Sequence, residues 1–196
     1  MITSEITQEQ VVNILLPQND EEKLLLKQPL IQEGLLWGEP RYGHPEGKVL
    51  FHVAEIFENI RTIVPDLNED DHRKLRLIAL VHDIFKFKED KSVPRDWTKA
   101  HGILARQFME GFTTDENLLN IIELHDEAYY CWKLKVQQQD LIGSAQRLAW
   151  LMGRISPALQ LYYMFFKCDT WTGDKTHAPV KWFEEITVGI NKIGFE

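Results

Sequence analysis

The run Leu77-Ile78-Ala79-Leu80-Val81-His82-Asp83-Ile84-Phe85 sets an imidazole and a carboxylate side by side within an otherwise apolar stretch. Any fold that buries this run must also compensate the carboxylate, because desolvating an unpaired ionised group costs on the order of several kcal/mol. A divalent metal is the compact way to satisfy a neutral imidazole and an ionised carboxylate together. The ordinary alternative is a core histidine whose neighbouring aspartate caps or pairs locally. Two adjacent residues do not choose between these readings.

The pair recurs in kind along the chain. His52 lies within Val49-Leu50-Phe51-His52-Val53-Ala54-Glu55-Ile56-Phe57, and His101 opens His101-Gly102-Ile103-Leu104-Ala105. His125-Asp126 follows Ile121-Ile122-Glu123-Leu124, and Asp169 ends the apolar stretch Leu161 to Cys168. Each time, one ligand-type side chain interrupts or borders an apolar helical pattern, as helices converging on a buried ion require. The chain has only seven histidines, which makes the recurrence hard to assign to chance.

Taken in order, His52, His82-Asp83 and Asp169 resemble the pattern of the HD-domain superfamily of metal-dependent phosphohydrolases: His, then His-Asp, then a distant Asp. His101 and His125 occupy the places where the two-metal members of that family carry two further histidines. Gly43-His44-Pro45-Glu46-Gly47, ahead of His52, looks like the lead-in of the HD domains of CCA-adding tRNA nucleotidyltransferases. His82-Asp83-Ile84-Phe85-Lys86 departs from the common His-Asp-Ile-Gly-Lys by Phe for Gly while keeping the lysine. The resemblance covers about residues 40–172. No nucleotidyltransferase domain precedes it, so CCA-adding activity is not implied.

The resemblance implies that His52, His82, Asp83 and Asp169 bind one metal, that Asp83 bridges to a second, and that His101 and His125 complete the protein ligands of that second ion. It places Lys86 near a bound phosphate, where it would act catalytically by stabilising transition-state charge, while Asp83 would be catalytic as the bridging ligand. A solvated lysine beside Lys88 and Glu89 is the bland reading of Lys86. Imidazole and carboxylate donors without thiolate suit one or two ions of Mn²⁺, Fe²⁺, Co²⁺, Ni²⁺ or Zn²⁺. The implied activity is hydrolysis of a phosphomonoester or phosphodiester, with a nucleotide among the candidate substrates, by attack of a metal-activated water. Two alternatives share the ligand order. One is a mixed-valence di-iron oxygenase of the HD fold acting on an inositol- or phosphonate-like substrate; the other is a metal-stabilised binding module without catalysis.

Length and composition narrow the class. At 196 residues the chain suits one domain, here residues 1–196, and its 44% hydrophobic and 27% charged content reads as an ordinary globular protein. Its apolar runs fall short of a membrane span, and Met1-Ile2-Thr3-Ser4-Glu5 lacks the basic start of a secretory signal. Two cysteines, Cys131 and Cys168, sit inside helical patterns, which predicts a reducing, cytoplasmic setting and argues against a cysteine-based zinc site. A net charge of −8 disfavours extended nucleic-acid binding. It leaves a small phosphate ester as a partner, because bound dications reverse the local field.

Helical periodicity predicts an all-α chain, an HD-domain helical bundle with additional N- and C-terminal helices. The expected helices are 5–16, with Ser4 as N-cap, then 20–36, 48–64, 69–86, 97–111, 115–132, 139–153, 157–171 and 179–192. Pro65-Asp66-Leu67-Asn68 reads as a turn feeding an acidic first helical turn. Residues 1–37 and 178–196 lie outside the resemblance and are left to pack on the core, cover the cleft or form a homodimer contact. Around the site, Asp126 is a candidate to orient an imidazole, Arg41, Tyr42 and His44 to reach substrate, and Lys175 or His177 to border the cleft. Among the aromatics Tyr129, Tyr130, Trp132, Tyr163, Phe165, Phe166 and Trp171, helical spacing makes most of them core, with Trp132 or Trp171 the candidates to stack on a nucleobase.

Overall fold

A computed structural model of the chain describes residues 6–63, 67–94 and 96–194. Among the described residues the regular structure is helical, without strands. The helices are α1 (Gln8–Leu15), α2 (Asp20–Leu26), α3 (Pro29–Leu35), α4 (Val49–Ile63), α5 (Glu69–Val81), α6 (His101–Met109), α7 (Glu116–Leu124), α8 (Glu127–Val136), α9 (Leu141–Ile155), α10 (Leu159–Thr170) and α11 (Ala178–Ile186). Tighter 3₁₀ turns occupy Ile84–Lys88, Trp97–Lys99 and Ser156–Ala158. No described helix is long and apolar enough to cross a membrane.

Where the boundaries differ from the periodicity, a local cause is visible. The segment 20–36 divides because Pro29 has no backbone N–H to continue a helix and instead begins α3. The helix expected over 69–86 ends at Val81, and the chain tightens into the 3₁₀ turn after Asp83. The helix expected over 115–132 breaks at His125-Asp126 into α7 and α8. Tyr162 on α10 repairs that break: its hydroxyl accepts from the Ala128 N–H at 3.1 Å and donates to the Leu124 carbonyl at 3.1 Å. The last helix stops at Ile186 rather than 192. Thr7 caps α1 through a capping box with Gln10, and Asn68 caps the acidic start of α5. The expected Ser4 cap and the Pro65-Asp66 turn lie outside the described residues.

At the centre, α10 packs on α4 and α5 with Tyr162, Tyr163 and Phe165 fully buried. The apolar stretch ahead of His82 is equally buried, from Leu77 to Val81. Phe85 turns inward and packs against Phe108 at 5.6 Å between ring centroids, so the residue that replaces the usual glycine is directed into the core. The N-terminal helices pack on this core. Arg76 of α5 holds Glu22 of α2 through Nε–Oε1 at 2.9 Å and Nη2–Oε2 at 2.8 Å, with Phe57 under the guanidinium. At the other end, α11 packs on α8 and α10.

Two glycines permit the closest helix approaches. A Cβ on Gly34 of α3 would lie 2.2 Å from the Ile84 carbonyl oxygen, directly after Asp83. A Cβ on Gly102 of α6 would lie 2.4 Å from the Glu123 carbonyl oxygen of α7. Intrinsic propensity favours Ala over Gly in a helix by about 1 kcal/mol, whereas forcing a methyl into packed backbone costs roughly 1–3 kcal/mol or more. Gly102→Ala should therefore destabilise the protein in urea unfolding. A more stable variant would show that α6 and α7 do not need this contact.

Candidate metal centre

The six side chains expected to share a site arrive from separate elements. His52 comes from the buried face of α4, His82 and Asp83 from the end of α5, His101 from the first turn of α6, His125 from the end of α7 and Asp169 from the last turn of α10. All of them converge on Asp83. Its Oδ2 lies 3.4 Å from Nε2 of His82 and 3.8 Å from Nε2 of His52. Its Oδ1 lies 3.4 Å from Nε2 of His101 and 3.5 Å from Nε2 of His125. Asp169 closes the first group, its Oδ1 being 2.9 Å from His52 Nε2. The carboxylate of Asp83 is thus common to two clusters with metal-ligand spacing, one with His52 and His82, the other with His101 and His125.

The outer edge of each ring meets an acceptor. His82 Nδ1 lies 2.9 Å from the Ala79 carbonyl and His125 Nδ1 lies 2.8 Å from the Ile122 carbonyl, each one turn back on its own helix. His101 Nδ1 lies 2.9 Å from Glu89 Oε1. His52 Nδ1 lies 3.2 Å from Glu46 Oε1. Acceptors at Nδ1 suit the tautomer in which Nε2 is free to ligate a cation. Glu46 and Glu89 do what was expected of Asp126. Asp126 instead faces the Nε2 edges, 3.5 Å from His101 and 3.7 Å from His125. No periodicity marks Glu46 or Glu89, which sit in irregular segments, between Pro45 and Gly47 and between Lys88 and Asp90.

Electrostatics hold the carboxylates ionised. Burial alone would raise the Asp83 carboxyl, but His82, Lys86, His101 and His125 outweigh it and hold it well below the usual range. Asp169 behaves likewise, with Lys175 and His52 against burial. Burial lowers His82. For His101, burial is outweighed by Asp83 and Glu89, and the imidazole is raised to about 9. Lys86 pairs with Asp83 Oδ2, and Lys175 donates to Asp169 Oδ1 at 2.9 Å.

Asp83, Lys86, His101, Asp126 and Asp169 line a cleft of about 390 Å³. Arg41, Tyr42 and His44 line it as expected, and Lys175 reaches it while His177 does not. His177 stacks on Trp171 with ring centroids 3.8 Å apart. Of the two tryptophans expected to stack on a base, Trp132 is buried and neither lines the cleft. Trp37, Tyr129 and Tyr130 supply its aromatic surface instead, with Tyr42 81% exposed at the rim. Helical spacing identifies which aromatics share a face, but the neighbour each face meets decides which are covered.

The donor set fits a divalent ion. Among the described residues, His52 Nε2, His82 Nε2 and Asp83 Oδ1 are buried without a hydrogen-bond partner, an arrangement that is costly unless something cationic binds there. A family model of the HD domain matches residues 49–142, a stretch that contains His52, His82, Asp83, His101 and His125 and stops short of Asp169. HD domains are mostly metal-dependent phosphohydrolases, and the buried His/Asp cluster is compatible with divalent metal binding. Neither a curated protein nor a solved structure matches the chain.

With its value raised from 6.5 to about 9, His101 is charged more readily in the folded protein than in the unfolded chain. Its contribution to stability is complete below pH 6.5 and is lost as the pH rises through about 9. The ceiling is about 3 kcal/mol, at roughly 1.4 kcal/mol per pH unit. In urea unfolding of chelator-treated protein, the wild type should lose its advantage over His101→Gln across that interval. A difference independent of pH would contradict the ion pairing of His101.

Proposed function

Starting from the HD domain that this chain carries over residues 49–142, we propose that it is a metal-dependent phosphohydrolase that cleaves a small phosphomonoester or phosphodiester. The observation that carries this reading is the division of the Asp83 carboxylate, one oxygen toward His52 and His82 and the other toward His101 and His125. A carboxylate so placed between two imidazole pairs is the donor arrangement of a two-ion site.

In this reading His52, His82, Asp83 and Asp169 hold one divalent ion, and Asp83, His101 and His125 hold another. The residue types suit Mn²⁺, Fe²⁺, Co²⁺, Ni²⁺ or Zn²⁺. Bound there, such ions supply Lewis acidity toward phosphoryl oxygens and a water that ionises near neutral pH. The chain does the rest. The Nδ1 contacts to Glu46, Glu89 and the carbonyls of Ala79 and Ile122 keep the rings from turning. Lys86 and Lys175 stand on the cleft side of Asp83 and Asp169 and are the donors closest to where phosphoryl oxygens would lie. Arg41 and Lys91 extend the cationic lining outward. A cleft of about 390 Å³ suits a small ligand. Trp37, Tyr129 and Tyr130 give it a surface on which a nucleobase can stack.

Mn²⁺-stimulated release of p-nitrophenol from bis-p-nitrophenyl phosphate is the direct test. Asp83→Ala should abolish metal binding and turnover together while the helical circular dichroism persists, and stoichiometric metal in that variant would contradict the assignment. Lys86→Ala should keep its metal and lose about 10²-fold in turnover, the size of effect expected for one charge-stabilising donor. Turnover equal to the wild type would remove Lys86 from the chemistry. Iron-dependent O₂ consumption without ester hydrolysis would select the oxygenase reading in its place.

A further inference from the structure

One oxygen of Glu46 serves two imidazoles. Oε1 lies 2.9 Å from Nδ1 of His44 and 3.2 Å from Nδ1 of His52. The side chain is only 4% exposed, and Oε2 has no hydrogen-bond partner among the described residues. An unpaired buried polar atom costs about 1–3 kcal/mol, so stability alone does not account for a carboxylate at this point. Position does. His52 turns Nε2 toward Asp83 and Asp169, and to ligate a cation held between them it must carry its proton on Nδ1, the atom that Glu46 faces. The contact is close without being aligned as a hydrogen bond, and it acts through charge.

His44 is bound to the same oxygen by a hydrogen bond from its Nδ1 and lines the cleft beside Asp83 and Lys86. Its Nε2 is the nitrogen left to meet a bound molecule. The His44 and His52 rings stand edge to face with centroids 5.0 Å apart, so neither turns without disturbing the other. The loop that carries His44 and Glu46 is secured by the segment after α10. The Gly43 N–H donates to Asp174 at 2.6 Å, and a Cβ on Gly173 would lie 2.8 Å from Pro45.

We propose that Glu46 is a positioning residue shared by the metal centre and the substrate wall, holding His52 in its ligating orientation and His44 in its cleft-facing one. The proposal rests on the metal-centre reading given above. It places His44 in contact with substrate through Nε2, and it makes the loop Gly43 to Gly47 a link between ion binding and ester binding.

The test is Mn²⁺ titration calorimetry on the full chain, paired with kcat and KM for bis-p-nitrophenyl phosphate at saturating Mn²⁺. Glu46→Ala should weaken Mn²⁺ binding about 10–100-fold, as loss of a ligand-orienting carboxylate does elsewhere. Glu46→Gln keeps the shape but not the charge and should weaken it at least threefold. His44→Ala should bind Mn²⁺ within threefold of wild type while kcat/KM falls by tenfold or more, mainly through KM. Should Glu46→Ala prove unfolded, Glu46→Gln decides. Mn²⁺ affinity within threefold of wild type in the folded Glu46 variants, or unchanged kcat/KM in His44→Ala, overturns the proposal. His52→Ala separates the two levels: if it loses Mn²⁺ while the Glu46 variants keep it, only the shared role of Glu46 fails. If His52→Ala itself binds like wild type, the metal-centre reading fails.

Discussion

Asp83 is a carboxylate that the fold keeps ionised at 3% exposure. Leaving it uncompensated would cost on the order of several kcal/mol, a large share of the roughly 5–15 kcal/mol that separates a folded domain from its unfolded chain. Compensation comes from Lys86 on its own turn and from imidazoles delivered by α4, α6 and α7. The packing of those helices is therefore not independent of the charge they surround. Displacing any one of them leaves an acid in a dry environment with too little positive charge around it.

The backbone yields where this charge sits. α5 gives way to a tighter turn just past Asp83, and the helix carrying His125 stops so that α8 can begin in a new direction. Each irregularity is supported from elsewhere. Gly34 lets α3 press on the turn after Asp83, Gly102 lets α6 approach α7, and Tyr162 satisfies backbone groups on both sides of the α7–α8 break. A regular helix through either point would keep its hydrogen bonds but would aim the ligand-type side chains apart. Local regularity is given up at the positions of the candidate ligands.

The stretch matched by the HD-domain model holds most of the candidate ligands but not the whole site. Asp169 comes from α10, Lys175 from the loop after it, and Trp37 and His44 from the segment before α4. The terminal helices thus do more than cover the core, since the chain around them forms the cleft walls. The same walls bear on the metal centre through Glu46, whose one oxygen faces both a cleft histidine and a ligand histidine. The candidate ligands and the cleft wall are in this sense one connected set of side chains.

Residue type and order were legible in the chain by itself. Ligand-type groups at 52, 82, 83, 101, 125 and 169 interrupt apolar helical patterns, and an all-α fold follows from periodicity that depends only on neighbours within a turn or two. Helix interruptions marked by proline chemistry were in principle legible too, as at Pro29. The roles of Glu46, Glu89 and Asp126, the choice of Trp37 and Tyr129 over Trp132 and Trp171 for the cleft, and the inward turn of Phe85 were decided only by the packed structure. Periodicity specifies which face of a helix is apolar, but it carries no record of the crossing angles and close approaches that bring residues far apart in the chain to within a hydrogen bond of one another. Whether an acid stands behind an imidazole or in front of it depends on those angles alone.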